Sequence, residues 1–321
     1  YLKDSPSHSI YLLFCSKLGQ KVDILKINTC PLCGGKHLGH AITCTDHYAS
    51  GEQFNLVRCD DCGFIFTQGA PVEAEIGRYY ETPDYISHTD TRKGLMNRVY
   101  HEVRKYMLSR KAKLIKRTSG LSKGTLLDIG TGTGYFSNAM KERGWRVKAI
   151  EKSPQARSFA KEHFELDVDT EDALAGYADH SFDAITLWHV MEHLEHLNET
   201  WEKLFKLLKE RGVLIVAVPN PSSYDAEKYK EWWAAYDVPR HLWHFTPGTI
   251  QRLGAKHEFI LAARHPMPFD AFYVSMLSEK YMGHSMSFFR GILSGTLAWF
   301  SALASKERSS SMIYVFRKKQ K

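Results

Sequence analysis

A glycine-rich turn is the stretch of this sequence best suited to bind a ligand. A mostly apolar run at residues 126–129, interrupted by Asp128, is followed by Gly130, Gly132 and Gly134, after which the chain becomes amphipathic. Glycines let a backbone turn tightly and approach a ligand closely, and the start of the following helix offers unpaired N–H groups. The pattern therefore predicts a strand, a tight turn and a helix that together bind a nucleotide-like cofactor.

The spacing around this turn separates two classes of cofactor. A dinucleotide-binding turn needs glycine or alanine where this sequence has Tyr135. Asp128 precedes the turn, and Glu151 follows it after about 20 residues, at the expected end of the neighbouring strand. There its carboxylate could accept hydrogen bonds from two hydroxyl groups. This combination resembles motif I and the second-strand acid of class I S-adenosylmethionine-dependent methyltransferases.

The resemblance implies S-adenosylmethionine as the cofactor. In that family the glycine turn holds the methionine part of the cofactor, and the acid matching Glu151 binds both ribose hydroxyls. A phosphate-binding turn or an NAD-binding turn is the alternative. The expected cofactor-binding residues of this segment are Asp128, Gly130, Thr131, Gly132, Gly134, Tyr135, Phe136, Glu151 and Lys152.

Four of the six cysteines form two C-x-x-C pairs, Cys30 with Cys33 and Cys59 with Cys62. Each pair places two thiolates on one tight turn, and two such turns complete a tetrahedral zinc site without an open coordination position. The pattern resembles a zinc ribbon and predicts a structural Zn²⁺ ion in a reducing, cytoplasmic setting. Four nearby residues could compete as ligands, and we expect them not to bind the metal: Cys44, His37, His40 and His47.

A tyrosine-rich segment follows the predicted ribbon. It resembles the lead-in segment of bacterial ribbon-bearing methyltransferases, which lies over the cofactor with tyrosine hydroxyls near the cofactor carboxylate. On that resemblance Tyr80, Tyr85 and His88 form a lid over the cofactor. Aromatic packing between two domains is the alternative.

Polar residues follow the third and fourth predicted strands. In the resembled family the residues after the third strand flank the adenine, which points to Glu171 or Asp172 without choosing between them. Residues 181–196 resemble the fourth-strand motif, which ubiquinone-type O-methyltransferases also carry. The strand end places Trp188 and His189 beside the transferring methyl group, so both are candidate cofactor contacts and His189 is a candidate catalytic residue.

His189 is also the first of four polar residues at helical spacings, the others being Glu192, His193 and His196. Three histidines and a carboxylate fit a metal site, or a general base with an orienting partner. The resembled family commonly uses such a sequence to pack and orient the turn without a metal. These three interpretations remain open at this point.

A long aromatic segment at residues 224–246 contains two further base candidates, His241 and His244. Residues 239–246 look like the corresponding string of the ribbon-bearing family. A loop of this length above the carboxyl ends of parallel strands is where an acceptor would be enclosed. Hydrogen-bonded structural histidines are the alternative.

Apolar runs alternate with amphipathic segments, which predicts an α/β fold. The resemblance implies a Rossmann-like, seven-stranded, mostly parallel class I methyltransferase sheet with a small N-terminal zinc-ribbon module. The expected boundaries are an N-terminal extension at 1–27, the ribbon at 28–70, lid and linker helices at 71–120, and the methyltransferase domain at 121–321. A helical insert near 270–305 suits a substrate cover, and we expect internal packing there rather than peripheral membrane contact.

The formal net charge of +7 has a local origin. Residues 92–117 carry ten Lys and Arg against one acid, so this segment has a charge of +9 and the remainder −2. A solvated helix face explains such a segment, and RNA phosphates or an anionic lipid or polysaccharide are the alternatives. The sequence has no run of about 18 apolar residues that would predict a membrane span.

These patterns predict an S-adenosylmethionine-dependent methyltransferase with a small-molecule or carbohydrate-like acceptor and a histidine as general base. An RNA methyltransferase that uses the ribbon and the basic helix is one alternative. A cofactor-binding scaffold without turnover is another. The acceptor and the oligomeric state stay open, because acceptor pockets in this fold are built from loops that diverge freely.

Overall fold

A computed structural model describes residues 23–80, 95–267 and 269–320 of the chain, with side chains in the first helix described from residue 101 onward. Two of the three predicted lid residues, Tyr85 and His88, lie outside these ranges. The strands within the described ranges are β1 (Leu38–Thr45), β2 (Gln53–Cys59), β3 (Ile65–Gln68), β4 (Thr125–Ile129), β5 (Arg146–Ile150), β6 (Val168–Asp169), β7 (Phe182–Trp188), β8 (Leu208–Pro219), β9 (Trp243–His244), β10 (Phe259–Pro266) and β11 (Ser311–Lys318).

The α-helices alternate with these strands in the second half of the chain. They are α1 (Leu95–Ser119), α2 (Tyr135–Glu142), α3 (Pro154–Phe164), α4 (Ala173–Gly176), α5 (Leu197–Leu207), α6 (Tyr224–Tyr229), α7 (Pro247–Lys256), α8 (Asp270–Tyr281) and α9 (Ser287–Ala304). Short 3₁₀ turns cover Ile76–Tyr79, Met191–His193, Lys230–Trp232, Ala234–Tyr236 and Lys306–Arg308. None of the helices in the described ranges combines the length and hydropathy that crossing a membrane requires.

Seven strands form the central sheet, in the order β10-β11-β8-β7-β4-β5-β6. β11 runs antiparallel to β10 and to β8. The pairs from β8 through β7, β4 and β5 to β6 are parallel. This topology confirms the predicted α/β fold with a seven-stranded, mostly parallel sheet.

The interior strand β4 buries side chains on both faces of the large sheet. Leu127 and Ile129 join a cluster that includes Trp201 of α5, whereas Leu126 joins a second cluster that includes Met140 of α2. Parallel strands covered on both faces are rich in apolar residues, and in β4 only Thr125 and Asp128 are polar. The turn after β4 therefore begins at the end of a strand that is packed on both faces.

A smaller sheet contains four antiparallel strands in the order β1-β2-β3-β9. Three of these strands come from the residues expected to form the ribbon, but β9 comes from residues 243–244, far along the chain. Phe64 and Phe66 pack with Trp243 in the same hydrophobic cluster as the core of the large sheet. The two sheets therefore share one continuous core.

Arg240 provides a polar link between the two sheets. Its Nη2 donates hydrogen bonds to Asp46 Oδ1 over 3.0 Å and to Asp237 Oδ1 over 2.6 Å, and its Nη1 donates to the carbonyl oxygen of Tyr79 over 2.8 Å. Asp46 follows β1, whereas Asp237 belongs to the long segment after β8. The guanidinium thus fixes that segment against the small sheet.

The predicted helical insert is present as α8 and α9. The expectation of internal packing is wrong for the large side chains of α9. Its buried positions are occupied by small residues, and its large apolar side chains are exposed except for the half-buried Trp299. Gly291 and Gly295 explain this orientation, because they allow α9 to lie directly on α8.

Candidate active site

The glycine turn begins at the carboxyl end of β4 and leads into α2. The N–H groups of Gly130 and Thr131 donate hydrogen bonds to the carbonyl oxygen of Ile150, over 2.8 and 3.0 Å. Gly130 has a φ of 69°, and an added Cβ would lie 2.3 Å from a methyl carbon of Val190. A Cβ on Gly132 would meet no atom within 4 Å, so this side of the turn is open to a ligand.

Asp128 supports the turn from within the protein. The residue is 1% exposed, and its carboxylate accepts hydrogen bonds from the hydroxyls of Thr186 (2.7 Å) and Ser137 (2.8 Å). The hydroxyl of Thr131 donates to Ser137 over 2.9 Å. Burial raises the pKa of Asp128, while the hydroxyl donors and the ammonium group of Lys111 act in the opposite direction. Asp128 therefore ties β4, β7 and α2 together behind the turn.

Glu151 lies one residue beyond β5, next to the open side of the turn. Its Oε2 accepts a hydrogen bond from the N–H of Gly132, and its Oε1 accepts one from the N–H of Ser153, both over 2.8 Å. Each carboxylate oxygen has a second lone pair, so two hydroxyl groups of a ligand can still be accepted. Glu151 therefore keeps acceptor capacity beside the open side of the glycine turn.

Lys152 and two acids, Glu73 and Glu171, form a charged group near Glu151. The Nζ of Lys152 is 2.7 Å from Oε1 of Glu73. Burial, and then the carboxylate of Glu73, raise the pKa of Glu171, which places Glu171 in the same group. Asp172 is exposed. The sequence analysis missed Glu73. It lies 79 positions before Lys152 in the chain, and no local sequence pattern indicates that the two side chains are neighbours.

The first residues of α2 lie between α1 and the end of β7. Gly134 precedes the helix with a φ of 82°, which favours glycine. The ring centroid of Tyr135 is 4.2 Å from the guanidinium carbon of Arg104. Phe136 is buried and meets the ring of Trp188 edge-on, with 5.4 Å between ring centroids. These aromatic residues form the wall between the turn and the fourth-strand motif.

Lys111 is a site residue that the sequence analysis placed on a basic, solvated helix face. Its Nζ lies 4.2 Å from the centroid of the Trp188 ring. Burial lowers the pKa of Lys111 to about 8, with two nearby carboxylates opposing the shift. The sequence spacing could have indicated this position. Lys111 lies four residues after Met107 and three before Leu114, which places it on the apolar face of the helix.

His189 lies between two carboxylates at the carboxyl end of β7. Its Nε2 is 3.1 Å from Asp270 Oδ2, and its Nδ1 is 3.4 Å from Glu192 Oε1. Burial alone would lower the pKa of His189, but Asp270 and then Glu192 outweigh burial and raise it to about 10. The imidazole is therefore protonated at neutral pH, a state in which it can donate protons but not accept one.

A second cluster contains Glu192, His193 and His241, whose metal-binding atoms lie within 4.8 Å of one another. The Nδ1 atom of His193 is 3.0 Å from the carbonyl oxygen of Arg240, and that of His241 is 2.9 Å from the carbonyl oxygen of Ala235. A carbonyl oxygen only accepts hydrogen bonds, so each Nδ1 carries a proton. Each Nε2 is then the atom that can accept a proton or bind a metal ion.

The surroundings of this cluster keep His193 neutral. Burial, and then His241, lower the pKa of His193 to about 4. Glu192 is fully buried, and neither of its carboxylate oxygens makes a standard hydrogen bond to a described residue. The hydroxyl of Tyr80 lies 3.2 Å from Nδ1 of His193. Tyr80, a predicted lid residue, and His241, a predicted base, therefore both lie next to His193.

Two of the predicted histidines lie apart from this cluster. His196 is exposed and immediately precedes α5. His244 belongs to β9 in the small sheet, and its Nε2 is 3.0 Å from the hydroxyl of Thr67. Burial, and then His241, lower the pKa of His244 to about 3. His244 therefore faces the small sheet, three residues along the chain from His241.

The four cysteines of the C-x-x-C pairs come together at one end of the small sheet. Their sulfur atoms lie within 4.8 Å of one another. Cys30 and Cys62 have sulfurs 3.5 Å apart, and those of Cys33 and Cys59 are 3.6 Å apart. Four sulfurs bound tetrahedrally at about 2.3 Å from zinc would be about 3.8 Å apart, so the geometry fits such an ion.

The residues that could compete for the metal have other surroundings. Cys44 is buried in a separate apolar cluster with Phe54 and Leu56. The Nδ1 of His37 is 3.1 Å from a carboxylate oxygen of Asp61, and an imidazole nitrogen of His40 is 2.9 Å from the hydroxyl of Thr43. The ring of His47 stacks against Trp232 and Tyr281, with ring centroids 4.8 and 4.9 Å apart.

Three features define the class I methyltransferase fold. They are a seven-stranded sheet with one reversed strand, a glycine turn after the interior strand β4, and an acid after the neighbouring strand β5. The chain belongs to the family described as "Methyltransferase domain", whose family model matches residues 101–262, about half of its length.

Two curated relatives are ubiquinone biosynthesis O-methyltransferases. The mitochondrial protein of Schizosaccharomyces pombe is 29% identical over 129 residues, which cover 38% of this chain and 47% of the relative. The protein of Nitrosomonas europaea is 31% identical over 114 residues, covering 33% of this chain and 48% of the relative. The chain thus spans about half the length of each of these relatives.

One similar solved structure is a SAM-dependent methyltransferase from Archaeoglobus fulgidus. It shares 18% identity, with 67% of this chain and 94% of that chain covered and a TM-score of 0.45. The strand order and the site geometry, rather than this remote likeness, define the fold.

Proposed function

We propose that the protein transfers a methyl group from S-adenosylmethionine to a small-molecule acceptor. The observation that carries this proposal is the carboxylate of Glu151 beside the open face of Gly132, with a histidine cluster at the same edge of the sheet. S-adenosylmethionine supplies an electrophilic methyl group when bound. Because the two ubiquinone relatives are O-methyltransferases by name, an acceptor hydroxyl is the first class to test.

The residues around the turn fit this cofactor. Glu151 would accept the two ribose hydroxyls, and the open side of the turn at Gly132 would hold the methionine part. Of the two acids after β6, Glu171 is the better candidate for the adenine side, since Asp172 points to solvent. Asp128 acts as a positioning residue, because its carboxylate is already bonded to hydroxyl groups of the protein. The roles of Tyr85 and His88 stay predictions.

His241 is our preferred general base. Its Nδ1 is held by a backbone carbonyl, which leaves Nε2, 3.8 Å from a carboxylate oxygen of Asp237, as the atom that would accept a proton. The buried carboxylate of Glu192 lies in the same cluster and would stabilise the imidazolium ion that forms. His189 is a less suitable base because its raised pKa keeps it protonated. We assign His189 a positioning role.

We also propose that Cys30, Cys33, Cys59 and Cys62 bind a structural Zn²⁺ ion. Four thiolates would close the coordination sphere, so the ion would stabilise the small sheet without taking part in the reaction. In this proposal the ribbon at 28–70 and the methyltransferase domain at 121–321 remain the two units, joined through β9. A carbohydrate-like acceptor and an RNA acceptor stay predictions.

Calorimetric titration of the zinc-loaded full chain with S-adenosylmethionine and S-adenosylhomocysteine tests the cofactor assignment. We expect saturable binding of both ligands, and about 10- to 100-fold weaker binding in Glu151→Gln, because hydrogen bonds to a charged acceptor are lost. Glu142→Gln is the matched control, since this exposed acid lies on α2 and accepts a hydrogen bond from its neighbour Asn138. A folded wild-type protein that binds neither ligand would refute the assignment.

A further inference from the structure

Glu192, His193 and His241, here called the His-Glu cluster, bring three metal-binding atoms together. One ligand atom of each residue lies within 4.8 Å of the other two. The cluster joins the 3₁₀ turn after β7 to the loop that precedes β9, two segments about 50 residues apart. It therefore differs from the metal site that the sequence suggested, since His189 and His196 do not belong to it.

Backbone carbonyl groups orient both imidazoles of the cluster. The Nδ1 of His193 lies 3.0 Å from the carbonyl oxygen of Arg240, and the Nδ1 of His241 lies 2.9 Å from that of Ala235. The two rings meet edge-on, with 4.6 Å between their centroids. Metal-binding histidines almost always donate their other ring N–H to a carbonyl or carboxylate group, which fixes the tautomer and the ring orientation. Both Nε2 atoms are therefore prepared to act as ligands.

The third member, Glu192, supplies a buried carboxylate whose bonding is incomplete. Its side chain is 1% exposed, and neither oxygen makes a standard hydrogen bond within the described ranges. It forms an ion pair with Nδ1 of His189 over 3.4 Å, but Nε2 of that ring is closer to Asp270, at 3.1 Å. Burying a carboxylate is costly unless it is paired or coordinates a metal. A cation between Glu192 and the two Nε2 atoms would complete its bonding.

We propose that the His-Glu cluster is a second metal site, which binds a divalent transition-metal ion such as Zn²⁺. Two imidazoles and one carboxylate form a known zinc ligand set, and three protein ligands leave an open position. In a tetrahedral site with bonds of about 2.0–2.1 Å the ligand atoms are about 3.3 Å apart, so the cluster must close slightly on the ion. Rotation of the Glu192 side chain supplies this movement, since no standard hydrogen bond to a described residue holds its oxygens.

Metal binding at this site would compete with protonation of His241. This consequence rests on the proposed function, in which Nε2 of His241 accepts the proton of the acceptor. An Nε2 atom that is bound to a metal has no lone pair left for a proton, so the loaded site should inhibit methyl transfer. Three such ligands should hold zinc less tightly than the four thiolates of the cysteine cluster, which suit this ion well. The second site should therefore fill only after the first.

Cobalt titration of the zinc-loaded full chain tests the site without cofactor or acceptor. Co²⁺ with nitrogen and oxygen ligands absorbs weakly in the visible range, whereas thiolate ligands add a strong charge-transfer band in the near ultraviolet. Because zinc already occupies the cysteine site, we expect one further Co²⁺ per chain to bind with the visible bands alone. Zn²⁺ added afterwards should displace it.

Three variants assign the bound cobalt to the cluster. His193→Gln should bind Co²⁺ at least about 100-fold more weakly, since loss of an outer hydrogen-bond partner alone costs about 10- to 100-fold. His241→Gln should show the same loss, and circular dichroism confirms that each variant is folded. His196→Gln is the matched control, because His196 belongs to the same histidine-rich string but is exposed and lies outside the cluster. It should bind Co²⁺ as the wild type does.

The inference would be overturned by a zinc-loaded wild type that binds no Co²⁺ or shows only the thiolate band. Wild-type affinity in both His193→Gln and His241→Gln would overturn it as well.

Methyl transfer provides the second readout. Zn²⁺ beyond one equivalent should lower the rate by about 10²- to 10⁴-fold, as expected when a general base is blocked, and a weak chelator should restore it. Full transfer with the second site loaded would overturn the competition. A wild type that binds Co²⁺ as expected but transfers no methyl group would refute the proposed function while supporting the metal site.

Discussion

His189 and His193 are four residues apart in sequence, yet their surroundings drive their pKa values in opposite directions. Both imidazoles are desolvated, which lowers the pKa of a histidine. At His189 the carboxylates of Asp270 and Glu192 outweigh this effect, whereas at His193 the neighbouring His241 adds to it. At neutral pH the first ring is a cation and the second is a neutral base. Residue type alone therefore does not decide which histidine can accept a proton.

The proposed base gives the first prediction at this scale. His241→Gln should lower kcat by about 10²- to 10⁴-fold, because proton removal from the acceptor loses its partner. The affinity of the His241→Gln variant for S-adenosylhomocysteine should equal that of the wild type. The measurement is transfer of labelled methyl groups to acceptors in a cell extract. His37→Gln, at the exposed surface of the small sheet, is the control and should retain full turnover. Undiminished transfer by His241→Gln would remove His241 from the mechanism.

The pKa of His189 predicts a pH-dependent contribution to stability. Because its pKa in the folded protein is about 10, above the usual value, protonation of His189 stabilises the fold fully below about pH 6.5. This contribution should disappear as the pH rises through 10. The side chain is 35% exposed, so we expect a contribution of only about 1–2 kcal/mol after solvent screening.

Urea unfolding of the wild type and of His189→Asn, at pH values between 6 and 10, measures this contribution. The difference in unfolding free energy between the two proteins should be largest at the acidic end and shrink toward the alkaline end. A difference that is independent of pH, or that grows with pH, would show that His189 is not a cation in the folded protein.

Among the secondary structure elements, α7 shows how closely a helix is fitted to the large sheet. Gly254 faces β11, and a Cβ at this position would lie 2.5 Å from a ring carbon of Phe316, which is fully buried. Gly248 lies in the first turn of the same helix, where a Cβ would meet no atom within 4 Å. The close contact with Phe316 therefore requires glycine at position 254, whereas the space around Gly248 would accept a side chain.

Alanine substitutions at these glycines should change stability in opposite directions. Gly254→Ala should lower the free energy of unfolding by about 1–3 kcal/mol, because the added methyl group overpacks the contact with Phe316. Gly248→Ala should raise it by up to about 1 kcal/mol through higher helix propensity. Denaturant titration of both variants measures the two effects. Equal signs would mean that α7 does not lie on β11 as described.

At the scale of the whole molecule, the small sheet and the large sheet are parts of one structure. β9 supplies the fourth strand of the small sheet, and it begins two residues after His241. Arg240 holds the same segment through Asp46, which follows β1. The position of the proposed base thus depends on the small sheet, and through it on the metal that we propose for the four cysteines.

Zinc removal is the prediction at this scale. Mass spectrometry should find one zinc per chain, and chelation should lower the melting temperature by about 5–10 °C and reduce methyl transfer as well. Cys59→Ser should lose the metal. Cys44→Ala should keep it, because Cys44 lies in a separate apolar cluster. A wild type without zinc, or a Cys59→Ser protein that retains it, would contradict the assignment.

Local patterns in the sequence determined the α/β fold, the glycine turn, the two cysteine pairs and the two helices of the insert. Each depends on residues close together in the chain, such as the glycines at 130, 132 and 134. Sequence also indicated His241 as a base, through the likeness of residues 239–246 to a known string. It could not separate His241 from His244, since only their hydrogen-bond partners, Ala235 and Thr67, distinguish them.

The tertiary structure alone decided the features that join distant parts of the chain. It placed Glu73 beside Lys152, Asp270 beside His189, and β9 in the small sheet. It also turned the large residues of α9 outward, because two glycines bring its backbone against α8. Sequence periodicity identifies an apolar face but not what that face contacts. Partners far apart in sequence become neighbours only when the sheet is assembled, so their chemistry could be read only from the folded chain.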